Sequence, residues 1–157
     1  MINVMNKYLP TALAIFIAFV FIQSLAFKFA GSEETVIIFS TIAMWMADIG
    51  LPTGFAESFG RYGGVVVGIA EFIASGLVLF RATRLWGAII GWFAMSGAIF
   101  FHLFTPLGIN RIVDAAGNTD GGVLFMMACG VWLSCMGLIY MSRQKLLGHL
   151  GLSSVQS

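Results

Sequence analysis

Four blocks of apolar residues, each about 20 long, punctuate the chain at 9–29, 62–80, 85–104 and 122–141. A helix rising 1.5 Å per residue needs about 20 such residues to cross a hydrocarbon core of about 30 Å, so each block predicts a transmembrane helix. Only Arg81-Ala82-Thr83-Arg84 separates the second block from the third, which predicts a tight antiparallel hairpin. The longest connection, 31–60, carries a pattern of its own. Ser32 followed by Glu33 and Glu34 is a helix start, a hydroxyl cap with acids against the positive helix end. Val36, Phe39, Ala43, Met46 and Ile49 then recur at helical spacing, with Ser40 and Asp48 among the polar positions. This helix, about 33–48, is too short to span comfortably, and Leu51-Pro52 and Gly54 end it. It reads as an amphipathic helix at the membrane interface with Trp45 near the headgroups; a re-entrant or fifth spanning helix is the alternative.

The expected fold is therefore an all-α membrane protein, a four-transmembrane-helix bundle with an interfacial amphipathic helix between the first and second spans. It forms a single membrane domain, 1–157, with a polar tail at 142–157. The first block has a second reading as a signal peptide, with Lys7 as the charged region and Ser24-Leu25-Ala26 as the cleavage site. The length of its apolar run and the membrane-embedded remainder favour a retained helix.

Composition narrows the class further. The chain is 59% hydrophobic and 10% charged, with a mean hydropathy of +0.96, whereas a soluble domain is roughly 25% charged. The expected surroundings are a lipid bilayer. A net charge of +1 gives no reason to expect nucleic acid. Lys7, Arg81, Arg84, Arg143 and Lys145 fall on one side of the spans and Lys28, Arg61 and Arg111 on the other, which places both termini in the cytoplasm. Cys129 and Cys135 stand about 120° apart around one helix, too far to bridge each other, and read as small buried apolar residues.

Three ionisable residues sit within or at the edge of the spans: Lys28, Glu71 and His102. A carboxylate near the middle of a span costs about 2.5–3.5 kcal/mol on insertion scales, so an intramembrane acid marks a functional site by default. Lys28 and His102 lie near the outer ends of their helices and Glu71 on the order of 10 Å deeper. Helical side chains lean toward their own N-termini, which tilts all three toward one level and makes a direct or water-bridged cluster feasible. Glu71 shares a stripe with Gly64, Gly68 and Ser75, and His102 continues Gly87, Gly91, Ala94 and Ala98. Small residues let helices approach closely in lipid, so these stripes face the bundle interior. Ser24 stands one turn before Lys28 on the same face. One His and one Glu fall short of the ligands a metal site needs, and no metal is expected. Asp120-Gly121-Gly122 is a helix start, and 105–120 an exposed outer loop.

In this order the residues resemble the DoxX-like family of small bacterial membrane proteins. The shared pattern is Lys28-Phe29-Ala30-Gly31 at the end of the first span, an amphipathic stretch closing in Leu51-Pro52, and Gly68-Ile69-Ala70-Glu71 in the second span. Thr83-Arg84 follows at the hairpin, then Gly97-Ala98-Ile99-Phe100-Phe101-His102-Leu103 and Asp120-Gly121-Gly122-Val123-Leu124-Phe125. The resemblance implies a four-helix bundle in the bacterial inner membrane, linked to redox processes through a partner enzyme subunit. It implies no intrinsic cofactor, and a bound quinone as the ligand to look for.

Two functions stand open at this point. The first is a quinone-binding or redox-partner membrane subunit in which Glu71 and His102 exchange protons at the ligand oxygens and Lys28 sets their charge, with Ser24 and Ser75 beside them. The second is a non-catalytic anchor whose Lys28–Glu71 pair is structural. A small-solute permease is weaker, because no inverted repeat is visible. Four short spans bury little surface, so a homo-oligomer or a complex is expected.

Overall fold

The computed structural model describes the backbone of residues 2–149 and the side chains of 7–143. Five helices follow in order: α1 Ile2–Phe29, α2 Glu33–Asp48, α3 Thr53–Leu79, α4 Arg84–Phe104 and α5 Val123–His149. Four of them contain stretches long and apolar enough to cross a membrane, at Lys7–Phe29, Thr53–Leu79, Arg84–Phe104 and Val123–Arg143. The protein is a multi-pass membrane protein built on a four-helix bundle.

Helix ends differ from the apolar blocks for a physical reason. Hydropathy marks where apolar surface begins, whereas a helix continues as long as its backbone bonds close. α3 starts at Thr53, ahead of the block at 62, because the Pro52 carbonyl accepts Phe55 N–H at 2.9 Å and Ala56 N–H at 3.1 Å. The helix therefore runs through Glu57 and Arg61 before it meets the apolar stretch. α5 likewise continues past 141 to His149. Residues 150–157, the rest of the expected polar tail, lie outside the described residues.

α1 packs on α3 and α5, and α4 packs on the same two helices, so α1 and α4 face each other across the bundle. Ile17, Phe21, Ala74, Val78, Ala88, Val131, Cys135 and Leu138 form the centre. Phe72, Phe93, Phe104 and Leu133 point outward and are exposed, as helices bathed in lipid require. Because lipid is as apolar as leucine, close packing rather than water exclusion must hold such a core. Gly87 supplies it: a Cβ there would lie 2.5 Å from Val78 N and 2.8 Å from Ala74 O, so α3 and α4 touch backbone to backbone. Gly91 admits the Phe21 ring and the Cys135 sulfur. Both cysteines are free.

The hairpin is closed by its own residues. Arg84, nearly buried, folds back so that its Nε donates to Val78 O at 3.0 Å, and Thr83 Oγ1 donates to Leu77 O at 2.8 Å. These donors satisfy carbonyls that the end of α3 leaves open. Arg84, read in the sequence as an orientation charge at the hairpin, is also a cap for the end of α3.

Gly64 and Gly68 pack helices together, one against α2 and the other against the end of α1. Gly64 faces Thr35 and Phe39 of α2, and Gly68 faces the Phe29 ring and the Lys28 stem. The contacts Thr35 at Gly64, Phe39 at Gly63 and Ala43 at Gly60 run in reverse order, so α2 lies lengthwise along the first half of α3. α1 ends at the level of Gly68, Gly31 turns the chain at a φ of +60°, and Ser32 caps α2 through Thr35 N–H at 3.3 Å. The buried face of α2 is Thr35, Phe39, Ile42 and Met46, while Val36 and Ile49 are exposed. The helix is apolar on more than one side, so periodicity could not choose its face; the glycines of α3 choose it. Trp45 packs edge-on against Phe100 and Phe101 of α4 rather than standing free.

The connection 105–120 also departs from an exposed loop. Leu107 is buried against Ile42, Met46 and Ala56, and Arg111 is only 2% exposed. Arg111 pairs with Glu34, Glu33 Oε1 accepts Ala115 N–H at 2.7 Å, and Asp120 caps α5 through Gly122 and Leu124 N–H. The two acids at the start of α2 thereby tie the loop down over the bundle.

Candidate functional site

Glu71, on the inward face of α3, is 2% exposed and among the most buried polar groups described. Lys28 Nζ donates to its Oε2 at 2.7 Å, and Ser24 Oγ lies 2.6 Å from the same oxygen. Lys28 also donates to Ser24 Oγ at 3.0 Å. Ser24 and Lys28 are one turn apart on α1, so a single helix face presents both. Oε1 takes no hydrogen bond from a described residue, and Glu71 lines a cavity. Ser75, also on the stripe, donates to the Glu71 backbone carbonyl at 2.7 Å and leaves the carboxylate alone.

His102 is buried at the far end of α4, its ring edge-on to Phe125. Its Nδ1 lies 2.6 Å from Gly108 O. A carbonyl only accepts, so the proton sits on Nδ1, and Nε2 of the neutral ring carries a lone pair. Neither Lys28 nor Glu71 bonds to His102 among the described residues. The register explains the separation. Gly87 sits against Ala74 and Val78, and Phe101 stacks on Phe59 with ring centroids 5.9 Å apart. His102 is therefore level with the Phe59 turn of α3, on the order of 15 Å beyond Glu71 at 1.5 Å per residue. Side-chain lean recovers a few ångströms, enough for the long Lys28 stem but not for His102. The expected three-residue cluster is thus one ion pair with Ser24 and, well apart, one histidine.

A cavity of about 540 Å³ joins the two. Ser24, Lys28 and Glu71 line it, as do His102, Arg111 and Asp120, and apolar side chains such as Phe21, Phe39, Phe101, Met127 and Ala98 make most of the wall. The volume falls within the roughly 300–1,000 Å³ of small-molecule sites, and so does the character, apolar with a few placed polar groups. The small residues Ala94 and Ala98 on the α4 stripe border this space, and no atom lies within 4 Å of a Cβ built at Gly97. Among the described residues no group of three His, Cys, Asp or Glu converges.

Sequence reasoning missed Arg111 and its partners. Glu34 lies 77 residues from Arg111, and nothing local to either position signals the pairing. Asp120 Oδ2 stands 3.4 Å from Arg111 Nε. Both Nε and Nη1 of Arg111 are fully buried without a hydrogen-bond partner.

No family model, curated protein or solved structure matches the chain. The site has to be read from its own chemistry.

Proposed function

We propose that the protein is a membrane subunit that binds a quinone or similar lipophilic ring in the cavity and supports a redox partner, as its resemblance to DoxX-like proteins implies. In this reading it sits in a bacterial inner membrane with both termini in the cytoplasm. The observation that carries it is Glu71, which lines an apolar cavity and whose Oε1 takes no hydrogen bond from a described residue. Glu71 takes or gives a proton at the ligand oxygen, Lys28 supplies the countercharge, and Ser24 keeps Oε2 oriented. Glu71 and His102 line opposite parts of the cavity, about 15 Å apart along the helix axes before side-chain lean, so they are given separate roles. His102, beneath the outer loop, hands protons to the outer face instead of touching the same head group.

The test is native mass spectrometry of the protein released from its own membranes in mild detergent. A bound quinone or a co-purifying redox subunit, with the quinone lost from Glu71→Gln that still folds, supports the proposal. Retention of the ligand by a folded Glu71→Gln protein would overturn it.

The direct 2.7 Å contact of Lys28 with Glu71 favours a second reading, a non-catalytic anchor in which the pair fixes helix register. That reading expects a homo-oligomer carrying phospholipid alone, and a Lys28→Met, Glu71→Leu protein with full stability and full partner association.

A further inference from the structure

Within the proposed ligand site, Glu71 and His102 each offer a ligand an acceptor. Glu71 Oε1 and His102 Nε2 receive no hydrogen bond from a described residue, and both residues line the cavity. As the anionic half of an ion pair, Glu71 only accepts; with its proton held on Nδ1 by Gly108 O, neutral His102 only accepts at Nε2. The donors beside the Lys28–Glu71 pair are mostly engaged, while elsewhere on the wall the Gln23 amide both donates and accepts and the Thr35 hydroxyl is paired with Ser32 Oγ at 3.0 Å. Ser24 has one proton, shared between Phe21 O at 2.9 Å and Glu71 Oε2 at 2.6 Å. The unpartnered Nε and Nη1 of Arg111 have no accessible surface, and its Nη2 is engaged by Glu34. Lys28 makes two bonds and keeps one N–H, beside the Glu71 carboxylate.

From this arrangement we infer that the cavity takes amphiphiles with a hydroxyl head in preference to those with a ketone or carboxylate head. The hydroxyl is bound at the Lys28–Glu71 pair. This rests on the ligand site proposed above and adds which chemical form of the ligand it holds. A hydroxyl donates to Glu71 Oε1 and accepts the third Lys28 N–H at once. A ketone satisfies only Lys28 and leaves Oε1 desolvated beside its own oxygen, and an unpaired buried acceptor is costly. A carboxylate is repelled by Glu71 and finds no free cation to offset that. For a ligand that interconverts between carbonyl and hydroxyl forms, the reduced, hydroxyl-bearing form is the one retained.

Redox-inert probes of matched shape test this directly: 4-decylphenol, 4-decylacetophenone and 4-decylbenzoate. Each is titrated calorimetrically into the protein in lipid nanodiscs, with empty nanodiscs as the blank for partitioning. The phenol is expected to bind at least tenfold tighter than either of the others. In Glu71→Gln, which lacks the anionic acceptor, phenol affinity should fall to within about threefold of the ketone's or to the blank. The comparison of the three probes on the parent protein needs no variant, so the test survives if Glu71→Gln fails to fold. Ketone binding equal to or tighter than phenol binding overturns the inference and leaves the ligand site standing. No binding above the blank by any probe overturns the ligand site itself, and this inference with it.

Discussion

Lys28, at the last turn of α1, reaches Glu71 in the middle of α3 and donates to its Oε2 at 2.7 Å, 43 residues away in the chain. The lysine is 17% exposed and the glutamate 2%, so the pair sits where water competes poorly. Gly68 makes the approach feasible, because the Lys28 Cδ passes 3.6 Å from where its Cβ would stand.

Removing one partner strands the other. Lys28→Met is expected to cost about 3–5 kcal/mol, the usual loss when a buried pair is broken. A fluorescence-monitored thermal melt in detergent should show a clear fall in midpoint. The double variant Lys28→Met, Glu71→Leu should recover most of that fall. A double variant no more stable than the single one would mean that the pair does more than balance its own charges.

Gly87 and Gly97 share one helix and should respond oppositely. Gly87→Ala forces a methyl onto the α3 backbone at 2.5–2.9 Å, so α3 and α4 must part, and the folded yield should drop sharply. Gly97→Ala meets nothing within 4 Å and gains helix propensity, so it should be neutral or slightly stabilising. Size-exclusion recovery after heating separates the two.

Arg111 holds the 105–120 loop to α2 through Glu34 and to α5 beside Asp120. Arg111→Met leaves two acids without their cation, and the loop should detach from Leu107 onward. Limited proteolysis in detergent should then cut within 112–119 several-fold faster than in the parent. A double Arg111→Met, Glu34→Gln protein should be cut more slowly than the single variant.

The loop also contains a hydrogen-bonded turn around Asp114. The Asn118 side-chain amide, and after it the Asn118 backbone N–H, hold the Asp114 carboxyl below the ordinary carboxylate range. A depressed folded value means that this turn is stabilised above the unfolded value near 3.8 and loses that support as pH falls through the lower folded value. Carboxyl-carbon NMR titration should show the Asp114 midpoint rising in Asn118→Ala. No movement would assign the depression to the backbone donors alone.

Spans and hairpin were legible in the chain because each is a local property. Twenty apolar residues have one way to cross lipid with their backbone satisfied, and a four-residue connection can only fold back. Glu71 stood out for the same reason, as a charge in the middle of a span. Three matters were decided only by the tertiary structure. The face that α2 buries was set by glycines on α3, since the helix pattern alone allowed several. The separation of His102 from Lys28 and Glu71 came from the α3–α4 register, which the Gly87 backbone contact sets and no hydropathy pattern encodes. Arg111 looked like a loop charge until Glu34, 77 residues away, met it. Helix length, caps and burial cost are written residue by residue, whereas register and long-range pairing depend on which surfaces fit. That fit exists only once the helices are packed.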